Sequence, residues 1–269
     1  LDMLFDFSLK RFLPAIINYG CADGSTALKD SHYRHFVFPS RASDPPLSLI
    51  GVHVSRLTAD ESFVAFRATF AATVNGAVYA NLAALVHPEN FFWGRDFDNR
   101  FDPNKPPVEN LATAVQLERH DGIGWRRLAR FAAEPSIEPL VSRPGVFCAP
   151  AQPGYDNVAF TRLLIATYSV AGDWVYPRGK SAPVRGAPEP HSTEIGVLGQ
   201  HFARLLGTER AAGDNSPDAE PWPRVATPDG KVGFVMPDSV NPLDAEQLCY
   251  FKDVVGRWRI TGYIAKRSQ

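Results

Sequence analysis

The N-terminal part of the chain has its hydrophobic residues close to a helical period. This spacing predicts an amphipathic helix over Leu4–Tyr19, ended by Gly20, and a second short helix over Ser25–Phe36. Prolines after the second segment indicate that a loop follows it.

From Leu49 onwards the pattern changes to alternation with many β-branched residues. This pattern predicts strands over Leu49–Leu57, Phe63–Val74 and Ala77–Val86. The dipeptide Asn75-Gly76 tolerates positive φ at both turn positions, so we expect the last two strands to form a β-hairpin.

The middle of the chain combines helical and extended patterns. We predict a helix over Val108–Arg119, a strand over Gly124–Ala132 and, after a proline-rich linker, a helix over Tyr155–Tyr168. Helices followed by an antiparallel sheet indicate an α+β fold for residues 1–143. With 269 residues the chain is long enough for two domains, and we place the second at residues 144–269.

The second domain contains short apolar strands separated by turn residues in a characteristic order. The segment resembles bacterial Src-homology-3-type domains, in which "V-R-x-x-P", "I-G-x-L", "W-x-x-V" and "D-G-x-x-G-W-V" motifs follow one another. The matching residues are Val184, Arg185, Pro188, Ile195, Leu198, Trp222, Val225, Asp229, Gly230, Gly233 and Val235, with Phe234 at the position where Trp is commoner. The resemblance implies a small C-terminal β-barrel between about Trp174 and Asn241 that binds other molecules and performs no chemistry.

Aromatic and cationic residues at the mouth of this barrel are the candidate ligand-binding residues. They are Tyr176, Arg185, Trp222 and Phe234. Each of these residue types is also common in a domain core, so a packing role is the alternative for all four.

Three cysteines allow one disulfide bond and one free thiol. We favour a bond between Cys148 and Cys249, because these residues flank the predicted barrel and the bond would join its entry to its exit. The alternative is two buried, reduced cysteines. The bond would place the protein in an oxidising compartment, either periplasmic or secreted. The whole chain is similar to uncharacterised exported proteins of Gram-negative bacteria.

Composition and charge exclude two classes of partner. The chain is 45% hydrophobic and 21% charged, with a formal net charge of −1, and its arginines are scattered. Because neutralising phosphates requires clustered cations, we do not expect nucleic-acid binding. The longest apolar stretches are far shorter than the roughly 20 residues of a membrane-spanning helix, so we predict no membrane span.

Catalytic and metal-binding motifs are weak. Cys21 is a candidate nucleophile, but no histidine stands in a recognisable setting for a cysteine peptidase. His32 and His35 are three residues apart on a predicted helix and could share a metal ion, but no third ligand is evident. We therefore predict no cofactor and no bound metal.

An aromatic and acidic loop follows the third predicted strand. It contains Asp96, Asp98 and Asp102, which could form a carboxylate pair or a calcium loop. Because the spacing lacks the calcium-loop pattern, we favour a structural loop whose carboxylates cap turns.

Two functional hypotheses follow. The first is a non-catalytic exported envelope protein whose barrel domain binds a peptide, peptidoglycan or an envelope protein. The alternative is that the N-terminal α+β domain is a small-ligand-binding or hydrolytic enzyme domain, with a cavity lined by His53, His87 and Asp96. An interior packed with aromatic residues would exclude such a cavity.

Overall fold

The computed structural model describes residues 48–55, 60–96, 98–213 and 220–266. Within these ranges the chain forms helices and two mostly antiparallel sheets, which confirms the α+β class. The helices are α1 Glu61–Gly76, α2 Tyr79–Leu85, α3 Pro107–Val115, α4 Ile123–Ala133 and α5 Asn157–Thr167. The predicted helices over Leu4–Tyr19 and Ser25–Phe36 lie outside the described residues, as do Cys21, His32 and His35.

Twelve strands make up the two sheets of the described residues. The first sheet has the order β1-β12-β11-β3-β2 and contains β1 Phe92–Gly94, β2 Glu138–Pro139, β3 Val146–Ala149, β11 Gln247–Lys252 and β12 Trp258–Ile264. The second has the order β10-β4-β7-β8-β9-β5-β6 and contains β4 Trp174–Pro177, β5 Ala182–Arg185, β6 Glu194–Leu198, β7 Ala203–Glu209, β8 Trp222–Ala226, β9 Val232–Phe234 and β10 Val240–Pro242.

The predicted β-hairpin over Phe63–Val74 and Ala77–Val86 is wrong, because these segments hold α1 and α2. Phe63, Phe66 and Phe70 are buried and follow one another at intervals of three and four residues, which places them on one helical face. The segment is helical because the helical spacing of these large side chains outweighs the β-propensity of its residues.

Both ends of α1 are defined by local hydrogen bonds. The Asp60 carboxylate accepts bonds from the backbone N–H groups of Ser62 at 2.9 Å and Phe63 at 3.2 Å, as an N-cap does. At the other end Ala77 adopts φ 49° and its N–H donates to the Val74 carbonyl. The turn signal Asn75-Gly76 therefore marks a helix C-terminus.

The predicted strand over Gly124–Ala132 is also wrong, because this segment lies in α4. Its buried residues Leu128, Phe131 and Ala132 share one helical face. Gly124 allows α4 to start close to the end of α3, since a Cβ there would lie 2.5 Å from the Leu117 Cα. By contrast, the predicted helices over Val108–Arg119 and Tyr155–Tyr168 are confirmed as α3 and α5 with shorter bounds.

The disulfide bond between Cys148 and Cys249 is confirmed. The two residues are direct partners on β3 and β11, and their Cα atoms are 4.0 Å apart. Next to the bond, the C-terminal strand β12 pairs antiparallel with β11. Through these strands the end of the chain packs on α1 to α4, and the domain boundary near residue 143 stays a prediction.

The second sheet contains the four strands on which the Src-homology-3 resemblance rests, but the barrel is not confirmed. Neither sheet is closed, since β10 and β6 are edge strands at opposite ends of the second one. After Pro242 the chain leaves this sheet and enters β11 of the first, so it does not close the second. Gly230, at φ 80°, lies in the predicted turn between β8 and β9.

Candidate ligand-binding groove

The two faces of the five-stranded sheet differ in what covers them. On β11, Leu248 and Tyr250 face the core shared with the helices, whereas Cys249 and Phe251 face the opposite side. The hydrophobic cluster on that opposite side includes the disulfide bond and contains no helical residue among those described. This face is therefore free of the helical layer and can take a ligand.

The larger of two cavities on this side has a volume of about 530 Å³. Its apolar lining includes Phe92, Leu140 and Ile264, which belong to the disulfide cluster, together with Leu243. Its polar lining consists of Arg95, Glu138, Ser142, Arg143, Gln152, Asp244 and Gln247. An apolar surface with a few converging polar groups is typical of small-ligand sites. We call this space the first cavity.

One side chain of the first cavity has a buried polar atom without a hydrogen-bond partner among the described residues, the Asp244 Oδ1, which is an acceptor. Asp244 is more than nine-tenths buried. Lys266 Nζ lies 3.7 Å from Asp244 Oδ1, which is an ion-pair distance but too long for a hydrogen bond. Because buried polar atoms are nearly always satisfied, this acceptor can be completed by a ligand. Trp93 also lines the cavity, but its ring packs against Tyr263 in the core shared with the helices.

Glu138 also lines the first cavity and is held in place by neutral donors. Its Oε1 accepts hydrogen bonds from the Gln152 backbone N–H at 2.8 Å and the Gln247 side-chain amide at 3.3 Å. Partial burial raises the pKa of the Glu138 carboxyl above its usual value, against these two hydrogen bonds, which lower it. Glu138 is therefore a carboxyl group that protonates more readily than an exposed one.

A second cavity, of about 480 Å³, adjoins the first. The two share Phe92, Ser142 and Arg143, and the second also contacts Phe251 and Val146 of the disulfide cluster. We call the two cavities together the groove. It runs along the side of the sheet that lacks helices.

The four residues that the sequence suggested as ligand-binding lie elsewhere, in the second sheet and its core. Tyr176 is almost fully buried, its hydroxyl donates to the Ala151 carbonyl at 3.2 Å, and burial raises its pKa. Trp222 and Phe234 are buried. Arg185 is half-buried, pairs with Phe234 across the strands, and donates to the Ser192 carbonyl at 2.8 Å. Their assignment to a ligand site stays a prediction.

The acidic loop uses its carboxylates locally. Asp96 Oδ2 accepts from the Phe101 N–H at 2.7 Å, and Asp102 Oδ1 accepts from the Asn104 N–H at 2.9 Å. Asp98 forms an exposed ion pair with Arg100, at 3.6 Å. These contacts are those of a structural loop with capped turns.

The interior between the helices and the first sheet is filled. Phe63, Phe66 and Phe70 are buried there, and Trp125 packs partly buried against them. The alternative hypothesis required this space to be open. His53 lies apart from it, exposed and bridged through its backbone to Gly154.

His87 has a structural contact of its own. Its Nδ1 accepts from the backbone N–H groups of Glu89 at 3.3 Å and Asn90 at 3.1 Å. This is a turn-capping arrangement next to the second cavity.

Sequence reasoning missed the groove because its residues come from four distant segments. The aromatic loop pointed to its carboxylates, whereas the structure places Phe92–Arg95 at the groove. The proline-rich segment between α4 and β3, interpreted only as a linker, supplies Glu138, Ser142 and Arg143. The signal available there was Glu138, a charged residue between prolines and apolar residues.

Comparison with known proteins adds no relative. No protein-family model matches the chain, and no curated protein or solved structure matches it significantly. None of the helices in the described ranges is long and apolar enough to cross a membrane. Within those same ranges, no group of three or more histidines, cysteines or acidic residues is placed to hold a metal ion.

Proposed function

We propose that this is a non-catalytic exported binding protein and that the groove holds a short extended peptide. The observation that carries the proposal is the buried, unsatisfied acceptor at the first cavity, the Asp244 Oδ1. A peptide backbone offers one N–H donor per residue, so it can complete this acceptor.

The path of the cavity along β1 also supports an extended chain. Four consecutive residues, Phe92–Arg95, line the first cavity although successive side chains of a strand point to opposite faces. One of them, Gly94, has no side chain and contributes only backbone. Since β1 is an edge strand, the cavity follows a strand edge, and such edges bind extended peptides by adding a strand.

The aromatic residues of the groove favour a peptide over a glycan. Stacking of a sugar needs an open ring face, but the Arg143 guanidinium lies over the Phe92 ring at 4.2 Å. The Trp93 ring lies in the core shared with the helices, with the Arg100 guanidinium over it at 4.8 Å. Tyr155 contacts two phenylalanine rings of the neighbouring core.

The disulfide bond supports the compartment. A bond between adjacent strands, with both cysteines buried, forms and persists in an oxidising environment. We therefore place the protein in the periplasm or outside the cell, where the peptide would come from a protein or from the cell wall. The Src-homology-3 relationship of the second sheet belongs to this proposal and rests on the sequence motifs alone.

The test is a selection of random heptapeptides displayed with free ends, followed by titration calorimetry of the selected peptides. Asp244→Asn keeps the shape and removes the charge. We expect this variant to bind about five- to tenfold more weakly, because a charge-assisted hydrogen bond to the ligand becomes a neutral one. Asp238→Asn is the matched control, since Asp238 is exposed and lines neither cavity.

Two further probes distinguish the sources of the peptide. Peptides released from peptidoglycan by an amidase test the cell wall, and the glycan strands that remain test the sugar. Binding of the glycan strands with no binding of any peptide would contradict the proposal. So would selected peptides that bind Asp244→Asn as tightly as the wild type.

A second candidate function, hydrolysis of the bound ligand, is favoured by one observation. Glu138, whose pKa is raised, lines the same cavity as the carboxylate Asp244. Two carboxyl groups in one cavity, of which one has a raised pKa, can supply a general acid and a general base. Mass spectrometry of bound peptides after long incubation would show cleavage, and loss of that cleavage in Glu138→Gln would replace binding with hydrolysis as the function.

A further inference from the structure

The junction between the two cavities carries a cation that the rest of the protein does not use. Arg143 is exposed, lines both cavities, and its guanidinium forms no hydrogen bond or ion pair with any of the described residues. Among the described residues, the guanidinium stacks on the Phe92 ring, and its Cζ lies 4.2 Å from the ring centroid. A guanidinium stacked on a ring keeps its N–H groups available at its edge for a planar anion.

Both members of this stack are fixed in position. Arg143 lies in the tight connection between β2 and β3, where its N–H donates to the Leu140 carbonyl at 2.9 Å and its carbonyl accepts from Val146 at 3.1 Å. The Phe92 ring packs on Gly262, its direct partner on β12, where any Cβ would clash with the ring. The guanidinium is therefore positioned before a ligand arrives, which lowers the entropy that binding costs.

We infer that Arg143 binds one carboxylate of the peptide, at the point where the peptide passes from the first cavity into the second. This inference rests on the proposed function, because it assigns a chemical group of the same ligand. A carboxylate matches the planar guanidinium with two parallel hydrogen bonds.

The charges around the groove limit the ligand to few negative groups. Glu138 and Asp244 line the first cavity together with Arg95, and Glu89 lines the second, so both of the cavities that Arg143 lines contain acidic residues. A polyanion such as a nucleic acid would meet repulsion at both ends. A peptide with a single carboxylate at the junction, and an amine or neutral groups on either side, fits this pattern.

The test compares ligands and variants in one titration series with the selected heptapeptides. Arg143→Gln removes the cation and Arg143→Lys keeps the charge without the planar fork. Arg162→Gln, on the exposed side of α5, is the control with the same charge change outside both cavities. The peptides are used with free acids, with an amidated C-terminus, and with Asp and Glu replaced by Asn and Gln.

We expect the selected peptides to share an acidic group at one position. Removing that group, or making Arg143→Gln, weakens binding about tenfold or more, as a charge-assisted pair does, and combining both changes adds little further. The affinity of Arg143→Lys lies between those of the wild type and Arg143→Gln, and Arg162→Gln binds like the wild type. If the bound carboxylate is the C-terminus, the peptide with an amidated C-terminus loses affinity. If it is a side chain, the peptide with Asp and Glu replaced by Asn and Gln loses affinity.

The outcomes separate the inference from the proposed function. If the selected peptides depend on Asp244 but share no acidic group and bind Arg143→Gln as tightly as the wild type, the inference is overturned and peptide binding stays in place. A selection that yields no peptide would overturn the proposed function itself.

Discussion

Replacing Arg178 with methionine removes the cation from a buried ion pair and leaves its partner, Glu134, without a counter-charge. Arg178 Nε lies 2.7 Å from Glu134 Oε2, and the two side chains are 12% and 3% exposed. Glu134 follows α4 and Arg178 follows β4, so the pair links the helical layer to the second sheet. Arg178 also donates to the Arg130 carbonyl at 2.7 Å.

The magnitude follows from what remains after the substitution. Glu134 keeps three neutral donors, the Ser136 N–H at 3.0 Å, the Ser136 hydroxyl at 2.5 Å and the Asn241 amide at 3.3 Å. Breaking a buried pair from one side costs about 3–5 kcal/mol in free energy of unfolding, since the remaining charge is buried and unpaired. We expect Arg178→Met to fall in this range.

The assay is urea unfolding followed by circular dichroism, in wild type and variants. Arg224→Met is the control, because Arg224 pairs with Glu209 at the surface, where both side chains are about half exposed, and such pairs contribute about 0–1 kcal/mol. The double variant Glu134→Gln/Arg178→Met should lose less stability than the sum of the two single variants. If Arg178→Met costs no more than the surface control, the burial argument is refuted.

Three further predictions concern the disulfide bond, a titrating carboxyl group and the core. Replacing Cys148 and Cys249 together by serine should lower the free energy of unfolding by up to about 4–5 kcal/mol in the chain-entropy model, because the bond spans 101 residues, and guanidinium unfolding measures it. Because the pKa of Glu138 is higher in the folded than in the unfolded state, this group contributes to the free energy of unfolding. Its contribution is fully present below the pKa of the unfolded state, near 4.5, and is lost as the pH rises through the pKa of the folded state. Stability measured from pH 4 to 7 should therefore fall in the wild type relative to Glu138→Gln, and a parallel course of the two curves would contradict it. Phe70 is fully buried in the core of the helical layer. Replacing it by alanine should lower the free energy of unfolding by about 3–5 kcal/mol, which thermal and urea unfolding measure.

Local sequence signals predicted the elements whose pattern agrees with their environment. The helices α3 and α5 and the strands around the Asp229-Gly230 turn all lie where the sequence pattern placed them. The partner of Cys148 was also predictable, because the two cysteines flank a compact segment. In these places the local preference and the tertiary contacts favour the same structure.

The sequence by itself determined the α+β class, the disulfide pair and most elements of the second half, since these depend on neighbouring residues. The spacing of Phe63, Phe66 and Phe70 already fits one helical face, but only the tertiary structure decided where that face packs, because the sheet that covers it is built from strands at the other end of the chain. The groove has the same origin: Phe92–Arg95, Glu138, Arg143 and Asp244 become neighbours only when β1, β2 and the β10–β11 connection meet at one sheet. A site assembled from such distant segments leaves no periodic pattern in the sequence, and its chemistry exists only once the chain is folded.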